Sequence, residues 1–180
     1  MKIKRVLTKK GQSPYQDIRF VPRHSEIRNP DGSIAFHMDN VIVPESWSQV
    51  ATDVLAQKYF RKTGVPLDQE GNSVGYHRQP AAKPSKETKL GSEHDARQVF
   101  HRMAGCWTFW AEKYGYFDTP EDADVFYDEV SYMLANQMAA PNSPQWFNTG
   151  LFAAYGISGK PQGHYYMDPK TGKLKKSSSA

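Results

Sequence analysis

The sequence is poor in cysteine and lacks any long apolar run. Its 180 residues include one cysteine, Cys106, which excludes an intrachain disulfide and any zinc or iron–sulfur site built from several cysteines. No stretch of about 18 apolar residues occurs, and no apolar segment follows the charged start from Met1 to Arg5. We therefore expect neither a membrane span nor a secretory signal, and we expect a cytoplasmic protein.

The excess of positive charge is small and unevenly distributed. The formal net charge is +4; residues 1–90 carry 15 basic and 9 acidic groups, and residues 91–180 carry 8 and 10. A diffuse excess of this size is typical of a solvated surface, so we do not expect nucleic acid as a partner. The 4 Trp, 10 Tyr and 9 Phe residues supply bulky side chains for a core.

A β-hairpin is predicted near the N-terminus. Residues 18–28 and 33–43 flank the sequence Asn29-Pro30-Asp31-Gly32, in which proline presets a turn and glycine accepts a positive φ. Pro44 cannot donate to a strand ladder, so the second strand should end there.

One helix and one long segment without periodicity follow the hairpin. Ser46 and Gln49 have the spacing of a capping box, which predicts a helix that continues to about Phe60. Residues 64–91 are rich in Gly, Pro, Ser, Gln and Lys, which indicates a linker or long loop. Residues 1–63 are thus expected to form a first unit, consisting of the hairpin and the first helix.

Residues 92–180 are predicted to contain a helical hairpin, a short motif and a trailing loop. An apolar stripe predicts a second helix from about Ser92 to Tyr114. Thr119-Pro120-Glu121-Asp122 is a start signal for a third helix, which should end before Pro141. Because a short turn joins these helices, we expect them to pack as an antiparallel pair.

A fourth helix is predicted from Ser143 to Tyr155, because Ser143 and Pro144 are suited to the N-cap and the first helical position. The N-terminus of a helix and a serine hydroxyl together can hold a phosphate or carboxylate group. Most N-cap serines only cap their own helix, so capping is the more common role on residue types alone. The expected fold is α+β and mainly helical, with an N-terminal β-hairpin and about four helices.

Histidines and acidic residues raise the question of a metal site. If Arg28 pairs with Ser33 across the turn, His24 lies opposite His37, and two imidazoles on one face can hold zinc or copper. No third ligand stands at a suitable spacing, so two surface histidines are the simpler interpretation. The acidic residues of 118–129 suit the first turn and solvated face of a helix, not a calcium loop. We therefore expect no metal site.

The segment around Ser143 resembles a known enzyme family. Residues 138–151, with Asn142-Ser143-Pro144-Gln145 near their centre, resemble a signature of the adenosylcobalamin-dependent (class II) ribonucleotide reductases. The resemblance extends in colinear order to Val43–Gln49, Lys58–Phe60, Asp95–Phe100, Gly115–Phe117 and Gln162–Pro169. It is weakest over residues 64–91. It identifies the chain as the N-terminal region of such an enzyme, ahead of a catalytic ten-stranded α/β barrel.

The resemblance implies a substrate-side role for this region. In that family the serine matching Ser143 contacts the ribonucleotide near its phosphates, with Asn142, Pro144 and Gln145 as neighbours. Family members reduce the ribose 2′-OH with a cobalamin-initiated thiyl radical on one cysteine and electrons from a cysteine pair. Cys106 lies in an apolar helix and matches none of these cysteines. The catalytic residues, and most of the adenosylcobalamin site, are therefore expected on a missing part of the parent chain.

The resemblance also implies that the parent enzyme binds deoxynucleotide effectors and a thioredoxin-type reductant. It implies in addition that the parent enzyme is able to form a homodimer. The alternative is a stand-alone helical binding or scaffold module without catalysis. A reading frame that continues past Ala180 into a strand bearing a cysteine would favour the reductase. A stop codon there would favour the module.

Overall fold

The computed structural model describes residues 1–67, 85, 87–159 and 163–178. The elements, in chain order, are β1 (Phe20–Arg28), β2 (Ile34–Pro44), α1 (Gln49–Val54), a π-helical turn (Leu55–Tyr59), β3 (Val65–Pro66), β4 (Leu90–Gly91), α2 (Ala96–Lys113), α3 (Pro120–Ala135), α4 (Ser143–Asn148), α5 (Leu151–Tyr155), β5 (Tyr165–Met167) and β6 (Leu174–Lys176). The strands form three antiparallel pairs, β1–β2, β3–β4 and β5–β6. The predicted α+β, mainly helical class is confirmed for this part of the chain.

The predicted β-hairpin is confirmed, but its register differs from the expected one. Glu26, not His24, lies opposite His37, because Arg28 pairs with Ile34 instead of Ser33 and an irregularity between Ile27 and Arg28 shifts the register by one further residue. His37 lies 3.6 Å from a carboxylate oxygen of Glu26. The alternative of two facing histidines is therefore excluded, and the preferred interpretation of two surface histidines is confirmed, since His24 and His37 are both exposed. Among the described residues no cluster of three or more His, Cys, Asp or Glu side chains is arranged to hold a metal ion.

The first helix begins two residues later than predicted. Its N-cap is Ser48, whose hydroxyl accepts a hydrogen bond from the Ala51 N–H at 3.1 Å. Ser46 lies in the preceding turn, where the Trp47 N–H donates to the Pro44 carbonyl. Trp47 is buried, and its indole N–H donates to the Ala135 carbonyl at 2.7 Å. Anchoring of Trp47 in the core therefore delays the helix start.

The described ends of the predicted linker 64–91 are paired with each other. Val65 lies opposite Gly91 and Pro66 opposite Leu90, as β3 and β4. The Leu67 N–H extends the pairing by donating to the Lys89 carbonyl at 2.9 Å. Most of the remaining predicted linker lies outside the described residues.

Helices α2 and α3 pack against each other. Asp95, not Ser92, is the N-cap of α2, and the Gln98 side chain completes a capping box. The residue before the cap is held by β2, because the Ile42 N–H donates to the His94 carbonyl at 2.9 Å. This extended pairing prevents an earlier helix start. The predicted start of α3 is confirmed, with Thr119 as its N-cap.

The segment before β1 lies along α3, where several carboxylates contact it and Glu129 makes the most hydrogen bonds to it. The N–H groups of Val6, Leu7 and Thr8 donate to the Glu129 carboxylate at 2.9–3.2 Å. The Thr8 hydroxyl also donates to it, at 2.6 Å. Burial by itself would raise the pKa of Glu129, but these donors favour the charged form and hold the pKa below its usual value.

A hydrophobic core joins the hairpin to the helices. It is formed by the buried residues Val41, Val43, Trp47, Leu55, Ala56, Phe60, Ala96, Val99, Phe100, Met103, Leu134, Ala135 and Trp146. A second cluster surrounds Cys106 and α5. No helix in the described part of the chain is long and apolar enough to cross a membrane.

The predicted fourth helix is divided into α4 and α5 at Gly150. This glycine has φ +82°, and a Cβ atom there would lie 2.0 Å from the Arg102 carbonyl oxygen. Only glycine allows both this conformation and this close approach of the backbone to α2. The break therefore follows from packing against α2, which the local helix signals could not show.

Candidate functional site

The four candidate residues Asn142, Ser143, Pro144 and Gln145 lie together in one exposed turn at the start of α4. Asn142, not Ser143, is the N-cap, and its side-chain oxygen accepts from the Ser143 N–H at 2.9 Å. The prediction that Ser143 caps the helix was therefore wrong, because the helix begins one residue earlier than the Ser-Pro pattern indicated. The Ser143 hydroxyl is left to make other contacts.

The Ser143 hydroxyl meets a hydroxyl from another part of the chain. Its Oγ lies 3.0 Å from the Tyr59 Oη, at an exposed position. Tyr59 is the last residue of the π-helical turn, in which the Phe60 N–H donates to the Leu55 carbonyl at 2.9 Å. Such wide turns are frequent at functional sites. They change the direction in which the residues at their end project.

Aromatic stacking fixes the Tyr59 ring. It stacks on the indole of Trp146, with ring centroids 5.4 Å apart and an angle of 17° between the planes. Trp146 is 8% exposed, and its indole N–H donates to the Pro141 carbonyl at 2.9 Å. The ring of Phe100 contacts the same indole from α2. The packed core therefore holds the Tyr59 ring in place, while the Tyr59 and Ser143 hydroxyls lie at the surface.

A fully buried arginine connects the elements that carry this site. Arg102, on α2, donates to the carbonyls of Trp146 at 2.6 Å, Thr149 at 2.8 Å and Tyr59 at 3.1 Å. The first two carbonyls lie at the C-terminal end of α4 and the third at the end of the π-helical turn. These carbonyls have no partner within their own helices, and a cation is favoured at such helix ends.

The charge of Arg102 is balanced by Glu93, which is also fully buried. The Arg102 Nε donates to Glu93 Oε1 at 2.7 Å. The Arg102 Nη2 also donates to Glu93 Oε2, at 3.3 Å. The Tyr155 hydroxyl and the Arg61 N–H donate to the same carboxylate, both at 2.8 Å. Burial, and then the charge of Glu93, raise the pKa of Tyr155 well above its usual value, so this hydroxyl remains a donor.

Sequence reasoning missed Tyr59, Arg102 and Glu93 as parts of this site. A usable signal existed for Arg102, because a charged residue among the buried positions of a predicted helix requires a buried partner. Glu93 carried no comparable signal, since an acidic residue in the first turn of the helix predicted from Ser92 is ordinarily exposed to solvent.

Cys106 is confirmed as a buried residue. Burial raises the pKa of its thiol to about 11. At neutral pH the group is therefore a protonated thiol, which is a poor nucleophile.

Comparison of the chain with known protein families defines the class of protein. A family model described as class II vitamin B12-dependent ribonucleotide reductase matches residues 21–137. This is more than half of the chain, so the chain belongs to that family and the resemblance is confirmed. The matched range ends just before residues 138–151, which include the motif.

Individual relatives cover the motif as well. The vitamin B12-dependent ribonucleotide reductase of Bradyrhizobium diazoefficiens is 58% identical, and that of Agrobacterium fabrum 55% identical, each over 100% of this chain. The protein of the same name from Rhodopirellula baltica is 33% identical over 83% of this chain. The chain spans 15% of the length of the first two relatives and 12% of the third.

Proposed function

We propose that this chain is the N-terminal region of an adenosylcobalamin-dependent ribonucleotide reductase that makes deoxyribonucleotides for DNA synthesis. Within that enzyme, the turn from Asn142 to Gln145 contacts the ribonucleotide, and the Ser143 hydroxyl donates a hydrogen bond to its phosphates. The single observation that carries the assignment of Ser143 is its exposed hydroxyl, which does not serve as the cap of α4. The relatives reported above are all named as reductases, which favours this function over a stand-alone binding module.

The chemistry of the turn suits a phosphate group. A hydroxyl that donates to a charged phosphate oxygen makes a hydrogen bond stronger than one between neutral groups. Asn142 satisfies a backbone N–H of the turn, and the Gln145 carbonyl accepts from the Thr149 N–H at 2.9 Å. These contacts hold the turn in shape, so Ser143 can be presented with little ordering cost on binding.

Two grooves along α3 do not fit adenosylcobalamin. A corrin needs a broad, largely apolar face, whereas these grooves are bordered mainly by charged side chains, among them Lys2, Arg5, Lys10, Glu121 and Asp128. The cofactor supplies the initiating radical when it is bound. We place its site, together with the catalytic cysteines and the ten-stranded barrel, on the remainder of the enzyme, and we derive no catalytic step from this chain.

The same proposal extends to the partners and the cellular location of the full-length enzyme. Deoxynucleotide effectors, a thioredoxin-type reductant and a second copy in a homodimer would act through the whole protein, and not through the turn around Ser143. An enzyme that supplies DNA precursors is expected to work in the cytoplasm.

Replacement of Ser143 in the full-length enzyme tests the assignment. In Ser143→Ala we expect the KM for the ribonucleotide to rise roughly 10- to 100-fold, because a hydrogen bond to a charged group contributes about 1.5–3 kcal/mol. The free energy of unfolding should change little, since Asn142 keeps the cap. The matched control is Ser33→Ala, which removes an exposed hydroxyl from the turn of the hairpin. A KM within twofold of wild type in Ser143→Ala would contradict the role of Ser143.

A further inference from the structure

The contact between Tyr59 and Ser143 joins two residues that are far apart in sequence. They lie 84 positions apart, and their hydroxyl oxygens are 3.0 Å from each other at the surface. Each hydroxyl carries one proton and can both donate and accept. One of the two protons is used in the hydrogen bond between the hydroxyls. The direction of that bond therefore decides which hydroxyl keeps a proton that it can donate to a ligand.

We propose that Tyr59 is a positioning residue that aims the Ser143 hydroxyl at the substrate's phosphate, an inference that rests on the function proposed above. The Tyr59 phenol donates its proton to the Ser143 oxygen, because a phenol is a stronger donor than an aliphatic alcohol. The serine then has its own single proton free to donate outward. Consecutive hydrogen bonds of this kind polarise each other, which strengthens the outer one.

The surrounding structure fixes both partners in the geometry that this arrangement needs. The Tyr59 ring cannot tilt freely, because it stacks on the buried indole of Trp146. The backbones are joined as well, since a single guanidinium nitrogen, Nη2 of Arg102, donates to both the Tyr59 and Trp146 carbonyls. Ser143 begins the short helix that contains Trp146. The distance between the hydroxyls is therefore set by buried groups.

Two consequences separate this role from an incidental surface contact. Loss of the Tyr59 hydroxyl should weaken substrate binding, although Tyr59 itself does not touch the substrate. The effect should also depend on Ser143, because Tyr59 acts only through it. A tyrosine that merely packs against Trp146 would show neither consequence when it is changed to phenylalanine, since the ring remains.

The experiment is a double-mutant cycle in the full-length enzyme, with ribonucleotide reduction measured over a range of ribonucleotide concentrations. The variants are Tyr59→Phe, Ser143→Ala and the two combined. In Tyr59→Phe we expect KM to rise about fivefold, as for the loss of one hydrogen bond between neutral groups, with a much smaller change in kcat. In the Ser143→Ala background, Tyr59→Phe should raise KM by less than about twofold.

Tyr114→Phe is the matched control, because it removes an exposed phenol at the C-terminal end of α2. Its KM should equal that of the wild type. Thermal unfolding of Tyr59→Phe, compared with wild type, checks that the stacked ring still supports the fold.

The outcomes separate the two proposals. If Ser143→Ala raises KM but Tyr59→Phe does not, Tyr59 has no positioning role and the assignment of Ser143 stands. If Tyr59→Phe has the same effect with and without the Ser143 hydroxyl, Tyr59 acts independently and the inference is wrong. If Ser143→Ala leaves KM unchanged, the proposed function of the turn fails and the role of Tyr59 fails with it.

Discussion

Glu93 and Glu129 are both buried carboxylates, but the structure satisfies them in different ways. Glu93 is paired with the guanidinium of Arg102, which links α2 to the distant α4. Glu129 is held mainly by backbone N–H groups and one hydroxyl, and it links α3 to the N-terminal segment. In the first region a charge is balanced by an opposite charge. In the second, a charge is solvated by peptide dipoles.

The comparison shows what each region loses when its central group is changed. Removing Arg102 leaves an unpaired buried charge at Glu93 and three backbone carbonyls without this donor, two of them buried and the third, that of Tyr59, part-buried. Neutralising Glu129 leaves an amide oxygen that can still accept some of the same hydrogen bonds. The region around Glu93 and Arg102 should therefore lose more stability on substitution than the region around Glu129.

The largest effect is expected for Arg102→Met, which keeps much of the side-chain volume but removes every donor. We expect the free energy of unfolding to fall by about 3–5 kcal/mol, as for a buried ion pair that loses one partner. Urea unfolding followed by tryptophan fluorescence measures the change. Arg28→Met is the control, since the Arg28–Glu26 ion pair is exposed and should contribute at most about 1 kcal/mol. Equal losses in the two variants would contradict the central role of Arg102.

An intermediate effect is expected for Glu129→Gln. The charged acceptor is replaced by a neutral one of the same shape, so the free energy of unfolding should fall by about 2 kcal/mol. Amide hydrogen exchange at Leu7 and Thr8 should accelerate, because their N–H groups donate to this side chain. Glu121→Gln serves as the control for an exposed ion pair, that with Lys10. Unchanged exchange at Leu7 and Thr8 would show that Glu129 does not hold the segment.

The smallest effect is a difference in pH dependence. The pKa of Glu129 is lower in the folded protein than its ordinary value of 4.5. Its contribution to stability is therefore complete above that value, and it is lost as the pH falls through 4.5 and then through the lower pKa of the folded state. The free energy of unfolding should fall less steeply between about pH 5 and about pH 3 in Glu129→Gln than in wild type. Parallel pH profiles for the two proteins would refute this linkage.

Local signals in the sequence predicted the elements well and their first residues less well. The start of α3 at Thr119 was correct, because a proline at the first helical position adds to its capping box. The starts of α1 and α2 were misplaced, because distant contacts decide them: Trp47 is anchored to Ala135, and His94 is paired with Ile42. No window of local sequence contains such pairs.

The candidate site was predicted in part for the same reason. The motif located Ser143 and its neighbours, since these residues are contiguous. Tyr59 and Arg102 come from other elements, and the contacts that connect them to α4 span 84 residues for Tyr59 and Ser143 and 44 residues for Arg102 and Trp146. Only the fold brings them together, so the sequence could identify the motif around Ser143 but not the groups that hold it.

The pairing of β3 with β4 has a consequence for changes in the length of the chain between them. Because Val65–Pro66 and Leu90–Gly91 lie side by side, the two ends of the intervening segment are held at neighbouring positions. The free energy of closing a loop between two such points grows slowly with loop length, by about 0.6 kcal/mol for each doubling. We therefore expect a change in the length of this segment to cost the groups that hold Ser143 little stability.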